Sequence, residues 1–164
     1  MPLLVYIPFL ISLFFDDDLK EMRNLYQVAS KSEEYVISLQ ELSLKQNDLG
    51  QSLKTAYFGA AEMVSAQYKF MPSKKISTFN TGRKILDQAL KSDSLNIEIR
   101  YLRFTIQSNC PSFLGYNKYI ESDKQFIIKN LNALKAKDKD LYVKIYTYLL
   151  TQSKLNANEK KLLE

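Results

Sequence analysis

Residues 49–70, LGQSLKTAYFGAAEMVSAQYKF, decide the fold class. Leu49, Leu53, Ala56, Tyr57, Ala60, Val64 and Tyr68 hold a clean 3.6-residue period and predict an amphipathic helix. Within it, Ala56, Gly59, Ala60 and Ala61 are small enough to admit a neighbouring helix at a short interaxial distance, which marks this stretch as the centre of the fold. Asn47 and Asp48 are placed to cap the helix and Pro72 to stop it.

The same period continues on both sides. Upstream, Asp18 with Glu21 forms a capping-box pattern before a helix carrying Leu19, Met22, Leu25, Tyr26 and Ala29. Ser30 with Glu33 repeats the pattern for a helix carrying Val36, Leu39 and Leu42 and ending near Lys45. Downstream, a fourth helix carries Ile76, Phe79, Gly82, Leu86, Ala89 and Leu90, and Lys91 in its last turn suits the helix dipole. Asn96 is placed to cap a fifth, in which Ile97, Ile99, Tyr101, Leu102, Phe104 and Ile106 surround the axis and imply burial between layers. Ser122 with Gln125 opens a sixth helix running through Phe126, Ile127, Ile128, Leu131 and Leu134. Leu141, Ile145, Tyr148 and Leu149 mark a seventh, and Asn156 with Glu159 caps a short terminal one. The expected architecture is all-α, with six to eight helices in stacked antiparallel hairpins.

Composition agrees. Four Gly and four Pro in 164 residues are too few for a many-turned sandwich, and 46% hydrophobic content supports a real core. The length suits one domain, here residues 16–164. The absence of histidine removes the commonest general base and zinc ligand, and Cys110 stands alone, so neither an intrachain disulfide nor a thiolate cluster forms. The excess of 23 Lys and Arg over 18 Asp and Glu is mild and ungathered, which argues against nucleic-acid binding. Without a glycine-rich phosphate loop or a ligand cluster, no cofactor, no metal site and no catalytic residue is expected.

Leu3 to Phe15 read LLVYIPFLISLFF and are followed abruptly by Asp16, Asp17 and Asp18. A straight transmembrane helix needs about 20 residues, so no stable membrane span is expected. The run has the length of a signal-peptide core, and the acidic triplet supplies the polar boundary at which a mature chain begins. Residues 1–15 therefore read as a signal peptide and the chain as exported, periplasmic or extracellular. No Lys or Arg precedes the run and Phe14 and Phe15 make a poor cleavage site, so an apolar segment folded onto a cytoplasmic domain is the alternative.

One stretch resembles a known repeat. Gly82, Leu86, Ala89 and Ser94 stand at the offsets where the second helix of a tetratricopeptide repeat carries a small residue, a large apolar one, Ala and Pro. Asp93, Asn96, Glu98 and Arg100 resemble the turn into the next helix of such repeats, and Phe58 and Gly59 resemble the Leu-Gly pair of the preceding one. Glu62 stands where the family has Tyr, and no second copy follows Arg100, so the resemblance covers about one repeat unit. It implies a tetratricopeptide-like hairpin and a protein or peptide partner bound through a helical groove.

Two clusters are candidate sites. Arg100 and Arg103 lie three residues apart on one helix face and together suit a carboxylate or phosphate; the alternative is pairing with Glu98, Glu62 or a neighbouring helix end. The segment 108–119, SNCPSFLGYNKY, breaks the helical period at Pro111 and Gly115. Its Asn109, Ser112 and Tyr116 join the two arginines as the candidate binding set for a small ligand. Phe113 and Leu114 are expected to pin the loop to the core, with Gly115 permitting the turn. Cys110, just past a helix C-terminus, is poorly placed to become a thiolate. Glu33 with Glu34, and Asp138 with Asp140, fit helix starts better than a metal or glycosidase site.

Overall fold

The computed structural model describes residues 7–45, 49–152 and 155–163, with the backbone alone for residues 7–16. Among them every regular element is helical: α1 (Ile7–Val28), α2 (Glu33–Leu44), α3 (Gln51–Ser65), α4 (Pro72–Ser92), α5 (Ile97–Asn109), α6 (Ile120–Lys137), α7 (Lys139–Gln152) and α8 (Ala157–Lys161). Short 3-10 turns occupy 29–31, 66–68 and 112–114. The all-α class holds. The chain gathers into two compact units, Met1–Ser92 and Asp93–Glu164.

In the first unit, the small residues of α3 do what their size predicts. Gly59 and Gly82 meet where α3 crosses α4: a Cβ on Gly82 would stand 2.6 Å from the Gly59 carbonyl oxygen, and one on Gly59 would stand 2.7 Å from the Leu86 amide nitrogen. Gly59 lies beside Leu86 while Met63 lies beside Gly82, so the two helices run antiparallel. On its other side α3 meets α2. The Lys54 ammonium donates to the Lys45 carbonyl at 2.8 Å, satisfying an orphan acceptor past the end of α2, and the Gln40 amide donates to Glu62 at 2.7 Å. Met22, Val36, Leu39, Tyr57, Phe79, Leu86 and Leu90 are buried.

Helix starts in this unit differ from the sequence expectation in informative ways. α1 does not begin after the acidic triplet but runs unbroken from Ile7 through Asp16, Asp17 and Asp18. Asp18 is no cap there; its carboxylate pairs with Lys45 at 2.9 Å, so the same side chain that reads as a helix start serves as a helix-surface charge. α2 is capped by Ser32, whose hydroxyl accepts from the Glu34 amide at 3.2 Å, rather than by Ser30. Pro72 opens α4: at the first helical position its missing N–H costs nothing. The expected caps Asn47 and Asp48 lie outside the described residues.

The second unit has one apolar core. Tyr101 and Phe104 of α5, Ile127, Ile128, Leu131 and Leu134 of α6, Leu141, Ile145 and Leu149 of α7, and Leu163 are buried together. Tyr148 meets Tyr101 and Phe104 edge-on, at 5.6 and 5.9 Å between ring centroids. Asp138 alone joins α6 to α7, its carboxylate accepting from the Leu141 amide at 3.0 Å. Asn96 caps α5 by accepting from the Glu98 and Ile99 amides, and Asn156 with Glu159 forms the expected capping box on α8. No helix of the described residues is long and apolar enough to cross a membrane.

Candidate functional site

Arg100 and Arg103 do share a face of α5, and a carboxylate does lie across them. It belongs to the protein. Asp123, in the first turns of α6 and fully buried, accepts from Arg103 Nε at 2.6 Å, Arg103 Nη2 at 2.8 Å and Arg100 Nη1 at 2.9 Å. Arg103 thus grips it in a bidentate fork, and the α6 N-terminus adds a favourable dipole. Arg100 Nε donates to the Ser94 carbonyl at 2.8 Å, and the two guanidinium planes lie over Phe126 at 4.2 Å and Tyr119 at 4.6 Å. Of the sequence-based alternatives to a bound anion, the neighbouring helix end is the one realised, as Asp123 in the first turn of α6. Asp123 was not legible as the partner because it stands 20 residues beyond Arg103 and is brought there by packing alone.

The remaining candidates turn in different directions. Asn109 ends α5 and donates to the Thr105 carbonyl at 2.7 Å and to the Tyr148 hydroxyl at 2.9 Å. Burial pushes the Tyr148 hydroxyl above its ordinary pKa, against the hydrogen bonds to Asn109 and Ser108. Ser112 opens a 3-10 turn and is exposed, whereas Tyr116 is buried. Gly115 adopts φ 60°, the left-handed conformation that suits glycine. Phe113 corrects the expectation that it pins the loop: it is 77% exposed, and Tyr116, at 2%, is the buried aromatic instead. Cys110 is half-buried just past α5, its thiol 3.7 Å from the Gln107 carbonyl. Gln107 itself is buried with no hydrogen-bond partner for either amide atom among the described residues, a placement that costs about 1–3 kcal/mol.

A second polar cluster ties α8 to α6. Lys124 donates to Glu159 at 2.9 Å and to Glu121 at 3.0 Å, and the Gln125 amide donates to the same two carboxylates. Burial pushes the Lys124 ammonium down, but hydrogen bonds to Glu159 and then Glu121 outweigh it and raise its pKa. Glu121 is held below the usual carboxylate range by Gln125 and then Lys124. Beside this clasp is an open cleft of about 480 Å³, lined by Gln125, Phe126, Ile128, Lys129, Asn132 and Leu162. Sequence reasoning places Phe126 and Ile128 on α6, but the cleft depends on α8 setting Leu162 opposite them.

With this geometry in view, comparison with known proteins adds no relative: no family model, no curated protein and no solved structure matches the chain.

Proposed function

We propose that the chain is a non-catalytic helical scaffold, with hairpins of the tetratricopeptide kind, that binds a protein or peptide partner. The observation that supports it is the cleft between α6 and Leu162. It is lined by the apolar side chains of Phe126, Ile128 and Leu162 together with the hydrogen-bonding side chains of Gln125, Asn132 and Lys129. That mixture suits an extended or helical segment lying across it better than an enclosed small molecule. The rival reading, a small-ligand or enzymatic site on Arg100, Arg103 and residues 109–116, has its two main anion donors engaged by Asp123.

The test is peptide selection against the full chain. Peptides that bind are expected to lose at least tenfold in affinity to Leu162→Glu and to Lys129→Glu, both on exposed side chains, with the melting temperature unchanged. Selected peptides that ignore both substitutions sink the cleft as the binding surface.

Export belongs to the same proposal. The ion pair of Asp18 with Lys45 and the buried Met22 both lie beyond residue 15, and a chain cleaved there keeps them. N-terminal sequencing of the mature protein is expected to begin near Asp16. An intact Met1 on a cytoplasmic protein contradicts export.

A further inference from the structure

The turn between α3 and α4 holds apolar side chains out in solvent. Phe70 is 98% exposed, Met71 55% and Ile76 44%, although the helical period places Ile76 on the buried face of α4. The reason is that α4 starts past the end of α3, so its first turns overhang: residues 70–77 are exposed without interruption. A large apolar side chain left almost wholly in water forgoes stabilisation that any apolar contact restores.

This exposure belongs to a fixed conformation. Immediately before Phe70, the Tyr68 hydroxyl donates to the Ala29 carbonyl at 3.0 Å and the Gln67 amide to the Ser30 carbonyl at 3.3 Å. Immediately after it, the Lys75 ammonium reaches back to the Gln67 carbonyl at 3.1 Å, and the Lys75 amide donates to the Met71 carbonyl at 3.0 Å. The tip is therefore presented ready-ordered, and docking it costs little further conformational entropy.

Charge selects the occupant. Lys69, Lys74 and Lys75 flank Phe70 and Met71 in the sequence KFMPSKK, with Lys74 and Lys75 exposed in the first turn of α4. Glu33 opposes them at one side, 3.9 Å from Lys69. A convex apolar tip flanked by long ammonium side chains matches a lipid interface, where the ring enters at the acyl boundary while the lysine stems extend to the phosphates. A protein partner must instead supply a cavity for Phe70 and an acidic rim at matching distance.

We propose that this tip docks the chain peripherally on anionic lipid surfaces, with Phe70 and Met71 inserted and Lys69, Lys74 and Lys75 on the headgroup phosphates. The contact is independent of the cleft near Leu162. It is also separate from the apolar run at the start of α1: the bond from Tyr68 to Ala29 sets the tip at the far end of that helix, about 30 Å from Ile7 at 1.5 Å per residue.

The chain contains no tryptophan, so Phe70→Trp in the full-length protein is a single-site reporter. Titrated with phosphatidylglycerol-rich vesicles, its emission is expected to shift to the blue and to be quenched by lipids brominated on their acyl chains. Pure phosphatidylcholine vesicles are expected to leave it unchanged. In the same background, Lys74→Gln lowers vesicle affinity about fivefold, Glu33→Gln raises it, and added salt weakens it. Leu162→Glu leaves it unaltered, so a failure here is distinguishable from a failure of the cleft. An indole that stays in water while the protein sediments with vesicles assigns the binding to another segment and overturns the proposal. Equal binding to neutral and anionic vesicles overturns it as well. So does a blue shift obtained with an acidic polypeptide and not with vesicles, which makes the tip a protein contact.

Discussion

Gly82→Ala is expected to lower the melting temperature of the first unit by about 10 °C, against the usual direction for a Gly to Ala change inside a helix. Propensity alone favours Ala by about 1 kcal/mol. The added methyl, however, would sit 2.6 Å from the Gly59 carbonyl oxygen, the Met63 amide nitrogen and the Met63 Cγ. Two of those atoms are backbone, so relief requires α3 and α4 to move apart along their most extensive contact. Overpacking of this kind costs about 3 kcal/mol at the upper end of its usual range, which leaves a net loss of about 2 kcal/mol. Gly59→Ala, with its nearest contact at 2.7 Å on Leu86 nitrogen, is expected to behave similarly. Gly50 is the control, because a Cβ there meets nothing within 4 Å. Thermal unfolding followed by circular dichroism decides the matter, and a Gly82→Ala chain as stable as the parent contradicts the close crossing.

Asp123→Ala is expected to be still more damaging. It leaves Arg103, 10% exposed, and Arg100, 19% exposed, as two positive charges with their shared acceptor removed. Breaking a buried pair from one side costs about 3–5 kcal/mol, and the partial access of Arg100 to water places the value near 3 kcal/mol. In a unit of this size that corresponds to a melting temperature about 15 °C lower. The pair itself is a different matter: the triple replacement Arg100→Met, Arg103→Met and Asp123→Leu is expected to recover most of the loss, because it removes the desolvation cost together with the attraction. Urea unfolding of the two variants side by side checks both statements. A stable Asp123→Ala chain would show that the arginines have another anion to turn to.

What the sequence made legible was local. Asn96, Asn156 and Glu159 cap their helices as expected because a cap bonds residues two or three positions away. The small residues of α3 announced a close helix crossing, although the sequence did not say that Gly82 would complete it. Local patterns misled where one residue type serves two purposes. Asp18 with Glu21 reads as a capping box, yet Asp18 lies inside α1 and pairs with Lys45, 27 residues on. Pro72 reads as a stop and is a start, since proline suits the first turn of a helix as well as the end of one. Periodicity likewise reports which face a side chain takes but not whether a neighbour extends far enough to cover it, and so Ile76 emerged exposed.

The candidate site shows the same divide. Pattern reasoning put Arg100 and Arg103 on one face and left two readings, a bound carboxylate or phosphate or a pairing with Glu98, Glu62 or a neighbouring helix end, and Asp123 at the start of α6 realises the last of these. Asp123 was hidden because 20 residues and a loop separate it from Arg103, and only packing of α5 on α6 brings the three together. Leu162 was hidden for a similar reason, since the clasp of Lys124 on Glu159 that positions α8 joins residues 35 apart.

Under the proposed function, partners are received at the cleft between α6 and Leu162 and not at the arginines. Amide-resolved NMR of the full chain, titrated with a peptide selected against it, tests this most directly. The predicted result is a set of shifts clustered at Gln125, Phe126, Ile128, Lys129, Asn132 and Leu162. Shifts gathered instead at Arg100, Arg103 and residues 109–116, with Asp123 released from its fork, would contradict it.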